Sequence, residues 1–332
     1  MKTNDIDFVI TWVDDSDPVW REKRDLYKGI KSAAGNEDAR YRDWGTLRYW
    51  FRGVEKFAPW VRHIYFVTDN QKPEWLNIDH PKLKWVKHTD YIPEEYLPTF
   101  HSKVIEWNFH RIEGLSDRFV YFNDDVFLID SVTEEHFFVD GKPCDYPGLD
   151  YICPTSVWTN TPFNNALLIN RNFDFKESFR KNWICWIKRQ TPKSLFKLLY
   201  LGRREYVPGF NSLHIHFNYC KKSFETLWEK EYNSIHETCT HKFRTKNDVS
   251  HWCVRNWQIM EGNVYPQKPL GKNFQTQSLK KNNAAVDYIR KQKGKVVCIN
   301  DNENEVDYEL HKQMIIDAFE EILPEKSLFE LW

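Results

Sequence analysis

The chain has 332 residues, of which 41% are hydrophobic and 16% aromatic, and its formal net charge is −1. This length and apolar content are ample for a packed core, and the balanced charge argues against bulk attraction to nucleic acid. No apolar run approaches the roughly 18 to 20 residues that span a bilayer, and the seven irregularly spaced cysteines do not resemble a secreted disulfide framework. We therefore expect a globular protein that stays inside the cell with reduced thiols.

The first part of the chain alternates apolar runs typical of strands with segments of helical periodicity. Strands are predicted at 6–13, 63–68, 83–88 and 118–122, and helices at 43–57 and 102–112. Asp43 is suited to cap the first of these helices. The order favours a layered α/β domain with a partly parallel sheet, in which several strands end in polar residues at one rim.

Acidic residues interrupt the apolar stretch RFVYFNDDVFLID, where Asn123, Asp124 and Asp125 directly follow a predicted core strand. Two adjacent carboxylates at a strand end lose hydration energy unless a cation or hydrogen-bond donors meet them. Ligands of open α/β sheets bind beyond the carboxyl ends of strands, and carboxylate oxygens suit Mg²⁺ or Mn²⁺ bridged to a diphosphate. This pattern indicates a nucleotide-diphosphate site. The alternative is a turn that caps a following helix.

Beyond Asp130 the periodicity weakens. We expect a loop-like region at 141–165, a short strand at 166–169, a long surface excursion at 268–295, a strand at 296–300 followed by an acidic turn at 301–305, and a helix at 309–323.

The stretch from Lys176 to Arg204 is amphipathic and basic, with nine cations against the single acid Glu177. Such Trp-bearing segments lie in the headgroup layer of anionic bilayers, where each cation contributes on the order of 1 kcal/mol. This predicts peripheral attachment to the inner face of the cytoplasmic membrane. The alternative is an ordinary helical pair packed on the core, with solvated lysines.

The segment from His214 to Cys253 is rich in histidine and cysteine, but its spacings match no paired zinc template. Core or catalytic histidines are therefore favoured over a zinc site. His214 follows a loop and precedes a helical segment at 224–228, and a histidine there can act as a base because imidazole titrates near neutrality. Arg244 could hold a phosphate with its planar guanidinium group.

Four blocks of the sequence carry a family resemblance. They are IDFVITWVDDSDP at 6–18, a long block at 42–128 that includes DWGTLRYWFRGVEKFAPWVRHIYFVTDNQ, the pair GFNSLHIHF and KFRTKNDVSHW, and CINDNEN with the terminal KSLFELW. The chain resembles the Stealth family of sugar-phosphate transferases, which includes bacterial capsular and exopolysaccharide phosphotransferases and the catalytic subunit of the lysosomal-enzyme N-acetylglucosamine-1-phosphotransferase. Asp15, His101 and His216 depart from the family pattern.

The resemblance implies an α/β fold, with a GT-A-like, Rossmann-type nucleotide-sugar-binding domain and a mainly helical insertion. The whole chain would form one catalytic domain, made of an α/β half at 1–130, an acceptor-side helical part at 131–265 and a C-terminal part at 266–332. It also implies transfer of a hexose 1-phosphate or N-acetylhexosamine 1-phosphate from a UDP-sugar to a lipid-linked or polymeric glycan acceptor. UMP would leave, and a phosphodiester would form in capsular or exopolysaccharide synthesis.

The family motifs also imply roles for particular residues. Asp125 and His214 would be the catalytic pair, with His214 as the base. The expected donor-binding residues are Asp14, Arg48, Arg52, Ser102, Glu106, Asn123 and Arg244. The expected ligands of Mg²⁺ or Mn²⁺ are Asp124, Asp125 and Asp301.

Two other functions are compatible with the residues alone. A metal-dependent glycosyltransferase needs the same acids, cation and nucleotide pocket, but it would release UDP. A non-catalytic carbohydrate-binding module would account for the 15 tryptophans but would leave the acidic strand ends and Arg244 without a task.

Overall fold

The structure, a computed structural model, describes residues 5–28, 44–276, 278–301 and 308–332. Its central sheet contains β1 (Ile6–Thr11), β2 (Ile64–Thr68), β3 (Leu83–Lys87), β4 (Arg118–Phe122) and β8 (Phe217–Cys220), in the order β3-β2-β1-β4-β8. The first four strands are parallel, and β8 runs antiparallel to β4. The α/β class and partly parallel sheet predicted from the sequence are confirmed. The predicted cap Asp43 and most of the acidic turn at 301–305 lie outside the described residues.

Helices α1 (Pro18–Tyr27), α2 (Leu47–Phe57) and α3 (Ser102–Trp107) lie between the strands of this sheet in the sequence. Helix α1 was not among the helices predicted from the sequence. Asp17 accepts hydrogen bonds from the backbone N–H groups of Val19 and Trp20, and Pro18 occupies the first helical position. Both features are typical of a helix start.

Two smaller sheets extend the core. In the first, β5 (Val126–Leu128) pairs antiparallel with β11 (Val296–Asp301), and β11 pairs parallel with β10 (Gly271–Thr276). The second contains β6 (Phe138–Val139), β7 (Lys142–Asp145) and β9 (Tyr265–Pro266). The first of these sheets joins the C-terminal part of the chain to the acidic stretch after β4, because the backbone N–H of Ile299 donates to the carbonyl oxygen of Asp125 at 2.8 Å.

The remaining helices form most of the second half of the chain. They are α4 (Val157–Asn172), α5 (Phe175–Ile187), α6 (Pro192–Leu201), α7 (Lys221–Lys230), α8 (Tyr232–Thr240), α9 (Trp252–Glu261), α10 (Leu279–Arg290) and α11 (Tyr308–Ile322). No described helix combines the length and the apolar character needed to cross a membrane.

Three sequence-based assignments were wrong. The region at 141–165 is not a loop throughout, because it contains β7 and the start of α4. Residues 166–169 belong to α4 rather than to a strand. They contribute the buried side chains of Ala166, Leu168 and Ile169 to that helix. Residues 268–295 contain β10 and α10 rather than an irregular excursion. Most of β10 is not buried, so it carries little apolar alternation, and the buried face of α10 includes the polar Asn282. Both features weaken the hydrophobic periodicity by which a strand or a helix is recognised in a sequence.

The two faces of the central sheet support two hydrophobic clusters. Val120 and Phe122 of β4 belong to the cluster that contains α2, α10 and α11, whereas Phe119 and Tyr121 belong to the cluster that contains α7 and α9. This alternation follows from the two-residue period of a strand. The C-terminal helices thus cover one face of the sheet, and the helical insertion covers the other. All seven cysteines are free thiols, as predicted.

Candidate active site

Polar residues collect where β1, β2 and β4 end. Because these strands are parallel, their carboxyl ends lie at one rim of the sheet, where Trp12 follows β1, Asp69 follows β2 and Asn123 follows β4. The strand order reverses direction between β1 and β4, and such a switch point is the usual ligand crevice of an open α/β sheet. The rim predicted from the sequence therefore exists, and it surrounds a cleft.

Three cavities of this cleft meet at Asn123 and Arg244, which line all of them. The first, of about 890 Å³, also contains Asp124, Asp125, His214 and Asp301. The second, of about 830 Å³, is lined by Trp12, Trp20, Phe100, Ser102 and Glu106, among others. The third, of about 1470 Å³, is lined by Trp158, Thr161, Asn165, Asn273 and Gln275, together with His214 and Asn300.

His214 stands between two amide side chains. Its Nε2 atom lies 2.7 Å from the side-chain nitrogen of Asn123, and its Nδ1 atom lies 3.0 Å from that of Asn300. A neutral imidazole has one donor and one acceptor nitrogen, so one amide must present its oxygen and the other its NH₂ group. The ring is thus fixed by contacts at both nitrogens, which is a suitable arrangement for a group that exchanges a proton.

Asp125 has an unsatisfied buried oxygen. Its Oδ2 atom accepts a hydrogen bond from the Cys298 thiol at 3.4 Å, whereas its Oδ1 atom is buried and has no hydrogen-bond partner in the described part of the chain. A carboxylate oxygen in that state costs free energy unless a cation or a donor approaches it. Asp125 is therefore ready to accept an external positive group.

Ligand atoms of Asp125, His214 and Cys298 lie within 4.8 Å of one another and could hold a metal ion. However, both ring nitrogens of His214 already face amides, and burial, with the nearby Asp125 carboxylate, raises the pKa of the Cys298 thiol well above its usual value. Asp124, Asp125 and Asp301 line the same cavity, but among the described residues their carboxylates do not form a group as close as that of Asp125, His214 and Cys298. These carboxylates fit a hard cation such as Mg²⁺ or Mn²⁺ better than the thiol and imidazole do.

Arg244 lies opposite these acids. Its Nη2 atom donates to the hydroxyl of Ser102 at 3.1 Å, and its guanidinium carbon lies 5.6 Å from the ring centroid of Trp158. The loop after α8 therefore brings a cation to the start of α3, although 142 residues separate Arg244 from Ser102. This planar group is well placed to contact a phosphate.

Glu106 is a buried acid on the same helix as Ser102. Tyr121 donates to its Oε1 atom at 3.2 Å, and Nε2 of His251 lies 3.3 Å from its Oε2 atom. Burial raises the pKa of Glu106 to about 7, against the opposing effect of Arg244. Burial also lowers the pKa of His251 well below its usual value. The contact of Glu106 with His251 is therefore polar, but it is not an ion pair at neutral pH.

The loop that carries Arg244 is held by a buried carboxylate. Asp248 accepts hydrogen bonds from Nε2 of His101 at 2.8 Å, from Nδ1 of His241 at 2.9 Å and from the backbone N–H of Thr245 at 2.7 Å, and Lys103 lies 3.2 Å away. Burial opposes ionisation of Asp248, but the bonds from the two histidines prevail and hold its pKa well below the usual value. Asp248 thus connects the start of α3 to the Arg244 loop.

The two other departures from the family pattern have local roles. The Asp15 backbone oxygen accepts hydrogen bonds from Arg21 at 2.7 and 3.1 Å. His216 is buried against the rings of Phe122 and Phe137, and burial lowers its pKa to about 3. Neither residue lines the three cavities.

Two predicted donor contacts, Arg48 and Arg52, are not brought to the cleft. Arg52 makes a double hydrogen bond to Glu330 at 2.9 and 3.0 Å, and Arg48 lies 3.6 Å from the same carboxylate. The i, i+4 spacing does place them on one helical face, but that face holds the C-terminal segment. Asp14, a third predicted donor contact, also lines none of the three cavities, although its neighbour Val13 lines the second. Its carboxylate accepts two hydrogen bonds from Ser16.

Sequence reasoning missed several residues of the site. Cys298 and Asn300 belong to the motif CINDNEN and lie two residues apart on β11, but neither was assigned a role from the sequence. Their position beside His214 depends on the pairing of β11 with β5, which no local pattern predicts. Asp248 and His251 were also missed, because their partners lie far away in the sequence.

Comparison with known proteins identifies relatives over the full length. Residues 4–32 match Stealth protein CR1, conserved region 1, and residues 40–145 match Stealth protein CR2, conserved region 2. The chain is 40% identical to the capsular polysaccharide phosphotransferase WcwK of Streptococcus pneumoniae, covering 98% of both chains. It is 38% identical to the receptor polysaccharide phosphotransferase WefC of Streptococcus oralis, covering 99% of this chain and 100% of that one.

Among solved structures, the chain is similar to the galactosyltransferase LgtC, with a TM-score of 0.39, 10% identity, and coverage of 94% of this chain and 95% of that one. It is also similar to mouse xyloside xylosyltransferase 1, with a TM-score of 0.36, 12% identity, and coverage of 89% and 97%. The two sequence regions and the identity of about 40% over nearly the whole length are far closer relationships. On this evidence the chain belongs to the Stealth family.

Proposed function

We propose that this protein transfers a sugar 1-phosphate from a UDP-sugar to a hydroxyl group of a glycan, forming a phosphodiester and releasing UMP. The relatives are named as phosphotransferases of capsular and receptor polysaccharides. The observation that carries the proposal is the position of His214. It stands between two amides in a cavity that also contains Asp125 and Arg244.

The three cavities suit the parts of such a reaction. The cavity with Trp12, Trp20 and Phe100 lies at the ends of β1 and β2 and offers aromatic surfaces to a nucleobase. The cavity with Asp124, Asp125 and Asp301 suits the diphosphate and its cation. The largest cavity, lined by Trp158 and polar side chains of α4 and β10, suits a glycan acceptor.

His214 is the proposed base. In the proposed step the acceptor hydroxyl replaces the Asn123 amide at Nε2 of His214. The imidazole takes the hydroxyl proton there, while the hydroxyl oxygen attacks the phosphorus bonded to the sugar. The bond from this phosphorus to the bridging oxygen of the diphosphate breaks, and UMP leaves. The Asn300 amide stays at Nδ1, where its oxygen can accept a hydrogen bond from the ring N–H of the protonated imidazole.

Positive charge must balance the diphosphate. Arg244 provides it from one side, held by Ser102 and by the ring of Trp158. A Mg²⁺ or Mn²⁺ ion held by Asp124, Asp125 and Asp301 would neutralise phosphate oxygens from the other side. Asp125 would also stabilise the positive charge that forms on His214.

The carbohydrate-binding alternative gains little from the structure. Its main support is the number of tryptophans, yet Trp50, Trp107 and Trp186 are fully buried and serve the core. The glycosyltransferase alternative is decided by the released nucleotide. That enzyme would release UDP, because it breaks the bond between sugar and phosphate.

The proposal is tested by incubating the protein with a panel of UDP-sugars, a capsular or exopolysaccharide acceptor, and Mg²⁺ or Mn²⁺. Mass spectrometry should detect UMP and a glycan heavier by one sugar phosphate. His214→Ala and Asp125→Asn should each lower kcat by about 10² to 10⁴ while the protein stays folded. Retention of more than about a tenth of the wild-type kcat in either variant would remove that residue from the mechanism.

A further inference from the structure

Helices α5 and α6, which follow one another in the chain and are together called the α5–α6 hairpin, each have a buried (inner) and an exposed (outer) face. On the inner face Trp186 is fully buried and meets the ring of Phe175 edge to face, and Leu198 of α6 is buried as well. The outer face exposes large apolar side chains. They are Trp183, Ile184, Ile187, Phe196, Leu199 and Tyr200, of which Phe196 is 72% and Tyr200 67% exposed.

The exposed apolar side chains follow the helical period in α6 and in the part of α5 that comes after its kink. The kink lies at Asn182, whose backbone is not helical (φ −126°, ψ 28°). Trp183, Ile184 and Ile187 follow it at mutual spacings of one, three and four residues, whereas Arg180 lies before it. In α6, Lys193 precedes Phe196 and Tyr200 at spacings of three and seven residues. Residues three, four or seven positions apart share one helical face. Each helix therefore presents an apolar stripe, and in α6 a positive charge stands one turn before it.

Several cations of the hairpin are not used by the protein itself. Lys176, Lys181 and Lys197 form ion pairs with Glu205, Glu177 and Asp150, respectively. In contrast, Arg180, Arg189, Lys193, Arg203 and Arg204 are exposed and form no ion pair with any residue that the structure describes. The surplus charge of the hairpin thus remains available to an external anionic partner.

We propose that the outer face of the α5–α6 hairpin docks on the surface of an anionic lipid bilayer. Trp and Tyr side chains favour the boundary between headgroups and acyl chains, and Phe, Ile and Leu enter the acyl layer beneath it. Arg and Lys beside such stripes pair with anionic headgroups. The exposed aromatic and aliphatic side chains therefore suit the boundary between headgroups and acyl chains, and the cations without ion pairs suit the anionic headgroups.

The segment that follows α6 is connected to the cleft. Asn170, at the end of α4, exchanges two hydrogen bonds with the backbone of Val207, at 2.9 and 2.7 Å. Helix α4 lines the largest cavity with Trp158 and Thr161, and the chain continues from Val207 to His214. Docking would therefore hold the acceptor side of the cleft near the membrane. The docking proposal extends the proposed function. It depends on that function only for the conclusion that the acceptor glycan is attached to a lipid.

Vesicle co-sedimentation without donor or acceptor tests the docking separately from catalysis. The wild-type protein should bind vesicles of phosphatidylcholine with phosphatidylglycerol and should bind pure phosphatidylcholine far more weakly. The triple variant Arg180→Gln, Lys193→Gln, Arg203→Gln should bind roughly 100-fold more weakly, because each cation near the surface contributes about a fivefold factor. The variant Trp183→Ser, Phe196→Ser should lose at least about tenfold.

The matched control removes three exposed cations elsewhere, with Lys222→Gln, Lys230→Gln and Lys280→Gln, and it should bind like the wild type. Equal binding to neutral and anionic vesicles, or an equal loss in the control, would overturn the proposal. Light scattering without lipid supplies another check. A wild-type dimer that dissociates in the variant Trp183→Ser, Phe196→Ser would assign this face to a second copy of the chain and overturn the proposal. Vesicle binding without UMP release would reject only the proposed function.

Discussion

The Nε2 atom of His214 lies 2.7 Å from the side-chain nitrogen of Asn123, the residue that directly follows the central strand β4. Asn300 of β11 holds the opposite ring nitrogen at 3.0 Å. The central sheet and the C-terminal sheet therefore meet at this imidazole. The position of the proposed base depends on both halves of the fold.

Substitution of Asn300 tests this arrangement. In Asn300→Asp a carboxylate would face Nδ1 of His214, and a nearby negative charge favours the protonated imidazole. The acid limb of the pH–activity profile should therefore move to higher pH. Asn300→Leu, which provides neither charge nor hydrogen bond, should lower kcat by about tenfold or more without moving the limb in that direction. An unchanged profile in Asn300→Asp would separate Asn300 from the base.

Arg244→Lys tests the phosphate contact. The ammonium group keeps the charge but loses the planar pair of donors and the stacking on Trp158. We expect kcat/KM to fall by about 10-fold to 100-fold, since charge-assisted hydrogen bonds contribute about 1.5 to 3 kcal/mol each. The control is Arg171→Lys, a surface arginine paired with Glu231, which should behave as wild type. If Arg244→Lys has unchanged steady-state constants, Arg244 has only a structural role.

Asp248→Asn should destabilise the fold and displace Arg244. It leaves the buried Lys103 without its carboxylate partner, and loss of one partner in a buried ionic network costs about 3 to 5 kcal/mol. Because the folded pKa of Asp248 lies below the unfolded value near 3.8, its stabilising contribution is present above that pH and is lost as the pH falls further. Denaturant titrations at several pH values should show this loss in the wild type and not in the variant. Equal pH dependence in both proteins would contradict this role.

Glu106 should make the stability of the wild-type protein depend on pH in the direction opposite to that of Asp248, and Glu106→Gln should remove this dependence. The folded pKa of Glu106 is raised to about 7 by burial, from an ordinary value of 4.5. Its contribution to stability is therefore complete below pH 4.5 and is lost as the pH rises through 7, by on the order of 3 kcal/mol. The difference in unfolding free energy between wild type and variant should vary across this range. A difference that stays constant would show that Glu106 ionises normally.

The sequence was most informative where chemistry follows a strong local pattern. The apolar run of β4 followed by Asn123, Asp124 and Asp125 predicted both the strand and the cleft at its end, because burial and desolvation act on adjacent residues. Loop residues that recur in the family motifs, such as His214 and Arg244, were also recognised. The structure brings both to that cleft.

Other features depend on distant contacts and left no local signal. The pairing of β5 with β11 brings Asn300 to His214, and the pairing of α2 with the C-terminal segment takes Arg48 and Arg52 away from the cleft. The contacting residues lie far apart in the sequence, with a separation of 86 residues between Asn300 and His214 and of 278 between Arg52 and Glu330. The edge strand β10 was missed because its exposed side chains give no apolar alternation.

The most direct test of the central claim follows the phosphate attached to the sugar. A UDP-sugar labelled with ³²P in that phosphate is incubated with the protein, a divalent cation and an acceptor glycan, and the products are separated. Transfer of sugar 1-phosphate predicts label in the glycan, unlabelled UMP in equal amount, and neither product with His214→Ala. Label retained in UDP, with an unlabelled sugar added to the glycan, would contradict the account and identify a glycosyltransferase.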